Sequence, residues 1–118
     1  MKVVAGLIRQ DGKLLLSKRL PNKTFSNYWE IPGGKVEKNE SEEDAMKREL
    51  DEELGIIVTK LNKVCEYMSG DIHAVIFNIC SWRNAPYGKE GQVIHWFEKN
   101  EFEAILLTPL TFEAITGQ

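Results

Sequence analysis

The stretch IPGGKVEKNESEEDAMKRELDEELGI, Ile31 to Ile56, organises the rest of the chain. From Ser41 onward its apolar residues recur at a helical period. Met46, Leu50 and Leu54 fall on one stripe when placed at about 100° per residue, and such a stripe faces a core. Ser41 is an N-cap ahead of an acidic first turn, and Gly55 is a natural stop. Most charges are matched at i,i+4: Glu43 with Lys47, Asp44 with Arg48, Lys47 with Asp51, Arg48 with Glu52. Glu49 and Glu53 break that pattern. They form a like-charge i,i+4 pair, and Glu52 is the i+3 neighbour of Glu49.

Side chains so placed lie about 5–6 Å apart, and at an effective dielectric near 20 two such charges repel by roughly 3 kcal/mol before salt screening. A solvated acidic face is the bland explanation, since exposed carboxylates splay apart. Here the cluster borders the apolar stripe and so lies near the sheet. That favours a divalent cation among the carboxylates. Oxygen donors with no Cys or His beside them suit Mg²⁺ or Mn²⁺ rather than zinc.

Upstream, KVVAGLIRQDGKLLLSKR reads as two strands joined at Asp11-Gly12, a hairpin signal. LPNKTFSNYW reads as a loop that leads into Pro32-Gly33-Gly34. Downstream, IIVTKL, KVCEYM and HAVIFNICSW read as three strands, and the last alternates as a central strand does. NAPYGKEGQ is a turn-rich loop, VIHWF a short strand and EKNEFEAIL one short helix. Thr108-Pro109 reads as the cap and first residue of a final helix. Strands and helices in this order predict one mixed α/β domain spanning residues 1–118.

Composition narrows the function. Of the 118 residues, 42% are hydrophobic and 28% charged, with a formal net charge of -3. Bulk electrostatic binding to a nucleic-acid polymer wants a basic face, and the Lys and Arg residues are scattered instead. Cys65 and Cys80 sit singly in apolar runs, which predicts reduced core thiols in a cytoplasmic protein. Arg9, Asp11 and Lys13 interrupt the N-terminal apolar run at once, so no secretory signal is expected. No segment approaches a membrane span.

Gly34, five residues, Glu40, seven residues, Arg48-Glu49-Leu50, one residue, Glu52-Glu53, one residue, Gly55-Ile56: this spacing resembles the signature box of the Nudix hydrolases in full. Nine positions agree, a coincidence on the order of one in a billion at typical residue frequencies. WEIPGGK before the box and PYGKEGQ…W after it look like the MutT branch, which cleanses nucleotide pools in the service of DNA repair. The resemblance implies a mixed β-sheet sandwiched between helices, an α/β/α sandwich, with the box at 34–56 as loop–helix–loop. It further implies Mg²⁺-dependent hydrolysis of a nucleoside triphosphate to a monophosphate and pyrophosphate.

The same resemblance assigns residues. A Gly33 carbonyl, Glu49, Glu52 and Glu53 match the metal ligands, and Glu90 matches an acid that reaches the metal from outside the helix. Glu49 is the expected general base, with Glu90 as its rival. Arg48 would orient a catalytic glutamate, while Gly34, Glu40 and Gly55 would hold the box in shape. Arg19 matches a phosphate-contacting arginine, and the backbone of Glu30, Ile31, Pro32 and Gly33 would run along the nucleotide. Phe25, Tyr28, Trp29, Phe77 and Trp82 are candidate stacking walls, although aromatics on a small sheet are mostly core. His73 and His95 show no partner pattern.

The substrate expected first is 8-oxo-dGTP. One position departs from it: Thr111 stands where an oxoguanine-reading asparagine would, and a single hydroxyl cannot make a two-ended amide contact. A CTP-type pyrimidine triphosphate and a sugar nucleotide such as ADP-ribose are the alternatives within the family. A nucleotide-binding regulator without turnover is the alternative outside it, and the intact Glu49, Glu52 and Glu53 argue against that. A monomer is expected, with a homodimer as the alternative.

Overall fold

The computed structural model describes residues 1–117; Gln118, the last residue of the expected domain, lies outside the described residues. Strands β1 (Lys2–Gln10) and β2 (Lys13–Lys18) form the expected hairpin, with Gln10 opposite Lys13. Two short strands follow, β3 (Trp29–Glu30) and β4 (Gly33–Lys35), inside the segment expected to be loop. Helix α1 spans Glu42–Leu54. The long strands β5 (Ile57–Ser69) and β6 (Ile72–Arg83) come next, then β7 (Ile94–Phe97) and α2 (Pro109–Thr116).

The sheet is mixed. Its main path runs β3-β2-β1-β6-β5, with β1 and β6 parallel and the remaining pairs antiparallel. Strand β1 forks: Val3, Val4 and Ala5 pair with Lys35, Gly34 and Gly33 of β4, while Arg9 and Gln10 pair with β2. The fork carries the glycine pair onto the middle of the molecule.

Alternation along the central strands sends side chains to two cores. Val4, Ile8, Leu15, Val75, Phe77 and Ile79 pack beneath α1 with Met46, Leu50 and Leu54. Ala5, Leu7, Leu14, Leu16 and Ile76 pack on the other face with Ala114 of α2. Helices therefore cover both faces of the sheet, the sandwich expected from the sequence. At the ends of α1, Ser41 Oγ accepts the Asp44 amide at 3.1 Å, and Gly55 caps at φ 68°. A β-carbon on Gly55 would in addition meet the Tyr87 ring.

Several local expectations need correction. IIVTKL and KVCEYM are one strand, because β6 is long enough to pair all of β5; register irregularities near Lys60 and Cys65 absorb the break in periodicity. EKNEFEAIL forms the short helix expected, of 3₁₀ type over Lys99–Ala104, capped where the Glu98 amide donates to Glu101 Oε1 at 2.8 Å. Cys65 is half-buried, but Cys80 is exposed, on the face of β6 that carries Ile76 yet beyond the reach of that core. Its thiol donates to Asn62 Oδ1 at 3.0 Å. Among the described residues no helix is long and apolar enough to cross a membrane.

Candidate active site

Helix α1 and strand β4 meet where the fork brings them together. Gly33 N–H donates to Glu53 Oε2 at 3.0 Å. A β-carbon at Gly33 would overlap the Val4 carbonyl, and one at Gly34 would land on the Glu49 carboxyl group. Glycine is therefore required at Gly33 by the β1 backbone, while at Gly34 a side chain would displace the Glu49 carboxyl.

The three box glutamates divide into two settings. Glu53 and Glu49 turn inward, with 15% of the Glu49 side chain exposed, whereas Glu52 turns outward with 54% exposed. Burial pushes the Glu53 carboxyl up to about 8, helped by the charges of Glu49, Glu90 and Glu30 and opposed by the Gly33 amide. Glu49 is raised as well, first by burial, against the lowering effect of Arg48. In the absence of a counter-ion, the inner carboxyl holds a proton at neutral pH.

Arg48 organises the outer side. Its Nε and Nη2 grip Glu40 Oε2 and Oε1 at 2.7 and 3.0 Å, a bidentate pair. Nη1 reaches Glu49 at 3.0 Å and Glu52 at 3.2 Å, and Nη2 also donates to the Lys35 carbonyl at 2.9 Å. Glu40 in turn accepts the Glu37 amide at 3.0 Å, and these bonds hold its carboxyl below the usual range. Arg48 thus ties the loop before α1 to two glutamates of the helix.

A cavity of about 900 Å³ opens beside Glu53, with Arg19, Glu30, Gly33, Tyr67 and Thr111 among its walls. Arg19 Nη1 donates to Glu30 Oε1 at 2.9 Å and its Nε to the Thr24 carbonyl at 2.7 Å. Glu30 is raised by burial, against the pull of Arg19. Glu49, Glu52 and Glu90 do not line this cavity. Pro32 is outside it too: it is buried, and its carbonyl accepts the Gly6 amide at 2.9 Å.

Thr111 is buried, 1% exposed, and its Oγ1 accepts the Ile31 amide at 3.0 Å and the Thr108 hydroxyl at 2.9 Å. The Ile31 and Gly33 amides, part of the backbone expected to run along a nucleotide, are therefore occupied within the protein. Of the aromatic candidates, Phe77 is core and Trp82 packs against the α1 side. Trp29 stacks edge-on with Phe97, and Tyr28 with Phe25. Only Phe25 of the five reaches the cavity. His73 bonds Glu66 across 2.5 Å, and His95 lies edge-on to Phe97.

Among the described residues, no three His, Cys, Asp or Glu side chains converge into a ready-made cation site. The donor chemistry nonetheless fits a hard divalent ion. Glu49 and Glu53 are inward carboxylates raised by burial, Glu49 with Arg48 against it and Glu53 held by the Gly33 amide, and the Glu90 charge acts on both.

The NUDIX domain model matches residues 1–115. The chain belongs to the Nudix family. This Nudix chain is 34% identical over 120 residues to the 8-oxo-dGTP diphosphatase of Haemophilus influenzae, covering 98% of this chain and 88% of that one. It is 35% identical over 113 residues to the CTP pyrophosphohydrolase of Escherichia coli, covering 92% and 84%. Among solved structures, a MutT from work on Aliivibrio salmonicida and Vibrio cholerae superposes with a TM-score of 0.85 at 28% identity, covering all of both chains. The E. coli ORF135 protein gives 0.83 at 32% identity, covering 98% and 88%. The fold is accordingly the mixed α/β Nudix fold.

Sequence reasoning missed Gln92. Its side-chain Nε2 donates to the Glu53 carbonyl at 2.8 Å and its Oε1 accepts the Glu90 amide at 3.0 Å. Only the quoted GKEGQ loop hinted at it, as a polar residue in a turn.

Proposed function

We propose that this Nudix protein hydrolyses a nucleoside triphosphate to a nucleoside monophosphate and pyrophosphate, in the cytoplasm and with Mg²⁺ as its cation, Mn²⁺ substituting. One observation carries the reading: the Glu53 carboxyl, held on the Gly33 amide at 3.0 Å beside the charges of Glu49 and Glu90, opens onto a cavity large enough for a nucleotide. Glu49, Glu53 and Glu90, with the Gly33 carbonyl, are the residues to hold the cation, and Glu52 completes the set from its outward position. The bound cation supplies neutralisation of phosphate charge and a more acidic water.

The chain's own groups do the remainder. Glu49 takes the proton of the attacking water, with Glu90 on its loop as the rival base. Water oxygen bonds to one phosphorus of the α,β-phosphoanhydride, the bridging P–O bond at that phosphorus breaks, and its electron pair leaves with the other phosphate-bearing product. Arg48 keeps the Glu49 carboxyl aimed by the Nη1 bond at 3.0 Å while anchoring itself on Glu40. Arg19, on the cavity wall, exchanges Glu30 for a phosphate oxygen.

For the base, 8-oxo-dGTP has the support of the Haemophilus relative's name and CTP that of the Escherichia relative's. The Thr111 hydroxyl, committed to the Ile31 amide, favours a base read without a bidentate side-chain contact, which supports the pyrimidine alternative. A panel of nucleotides with Mg²⁺, assayed for pyrophosphate and monophosphate, tests the proposal. Turnover of at least one triphosphate is expected. Binding across the panel with no turnover would instead support a regulator.

A further inference from the structure

The loop after β6 is fastened to the end of α1. A helix leaves its last carbonyls without donors of its own. Here the Leu54 carbonyl accepts the Tyr87 amide at 3.1 Å, and the Glu53 carbonyl accepts the Lys89 amide at 3.0 Å. The Glu53 carbonyl takes a second bond, from Gln92 Nε2 at 2.8 Å, while Gln92 Oε1 holds the Glu90 amide at 3.0 Å. The loop is tight around that side chain: Gly91 N–H returns to the Gly88 carbonyl at 3.0 Å, and a β-carbon on Gly88 would overlap the Gln92 backbone oxygen.

A single half-buried amide therefore bridges the backbones of two acidic residues that belong to different elements. Both ends of the amide are used, one as donor and one as acceptor, which neither a carboxylate nor an apolar side chain reproduces. We propose that Gln92 is a positioning residue that sets the Glu90 carboxylate against Glu53, so that the loop's acid joins the cation site of the helix. This rests on the function proposed above for that site. Lys89 and Tyr87 secure the loop to the helix through their own amides and the Gly88–Gly91 turn brackets Glu90, while Gln92 takes the Glu90 amide itself and ties it to the Glu53 carbonyl.

The test is a double-mutant cycle on the full chain, read by Mn²⁺ binding without nucleotide and, in parallel, by kcat. Gln92→Met keeps the length of the side chain and removes both bonds; Glu90→Gln removes the carboxylate. Outer partners of metal ligands typically set 10–100-fold in affinity or rate, so Gln92→Met should weaken Mn²⁺ by about that much. In the Glu90→Gln background the same change should alter Mn²⁺ binding less than about twofold. An unchanged Kd in Gln92→Met, or an equal loss in both backgrounds, overturns the proposal. If Gln92→Met does not fold by circular dichroism, Gln92→Glu, which keeps only the acceptor, enters the same cycle under the same criteria. A wild type that binds Mn²⁺ and obeys the cycle but turns over no triphosphate keeps the strut and discards the proposed reaction.

Discussion

Gly33 and Glu53 are joined by one hydrogen bond of 3.0 Å, from the amide of a β-strand to a carboxyl one residue from the end of a helix. Its strength depends on whether that carboxyl is ionised, because burial and three neighbouring acids favour the proton.

Stability of the cation-free chain should fall as pH rises. Between the unfolded value of 4.5 and the folded value of about 8, the native Glu53 holds a proton that the unfolded chain has lost. Stability from this group is therefore complete below pH 4.5 and gone above about 8. The loss amounts to about 2–4 kcal/mol after discounting the partial exposure of the group. Denaturant titrations of wild type and Glu53→Gln across this range check it: the variant should show a shallower slope, with the raised Glu49 and Glu30 still contributing, be the more stable at pH 8, and have no measurable turnover. Equal slopes would assign the pH dependence elsewhere.

Gly34→Ala should abolish activity with the fold retained. Its methyl group would occupy the position of the Glu49 carboxyl, which must then rotate away from Arg48. Because that carboxyl is the far end of a flexible side chain, the stability loss should fall below the about 1–3 kcal/mol of overpacking a core. Thermal melts and turnover measured on one preparation separate the two effects.

Arg48→Lys keeps the charge and loses the fork. A lysine cannot hold Glu40 through two nitrogens while reaching Glu49, Glu52 and the Lys35 carbonyl. Turnover should drop about 10–100-fold. A lysine variant as active as wild type would show that charge alone suffices.

Thr111→Val should cost about 1–3 kcal/mol, since it leaves the buried Ile31 amide without an acceptor. Thr111→Asn can keep that bond through Oδ1 while offering Nδ2 to the cavity. Its ratio of 8-oxo-dGTP to CTP turnover should rise above that of wild type. No change in the ratio would place the base away from this residue.

The box was legible because both of its codes are local. Periodicity fixes α1 through Met46, Leu50 and Leu54, and the spacing of acids and glycines fixes the family. What stayed hidden depends on partners distant in sequence. Arg48 keeps its i,i+4 partner Glu52 and also takes Glu40 from the preceding loop, a second and shorter pair that the i,i+4 rule could not foresee. Thr111 was visible as a departure but not as the acceptor for an amide 80 residues away. The unity of β5 reflects pairing with β6 and not its own pattern. Gln92 has no signal in its residue type; it matters because of what lies at each end of its amide.

The fork in β1 has a dynamic consequence. Val4 and Ala5 pair with the glycine strand on one edge and with Val75 and Ile76 on the other, and they send side chains into opposite cores. The floor beneath the carboxylates cannot open by itself, so its amides should exchange with deuterium only when the whole chain unfolds. Breathing is left to the turn segment that carries Phe25, and a nucleotide would enter and leave past a rigid base along that wall.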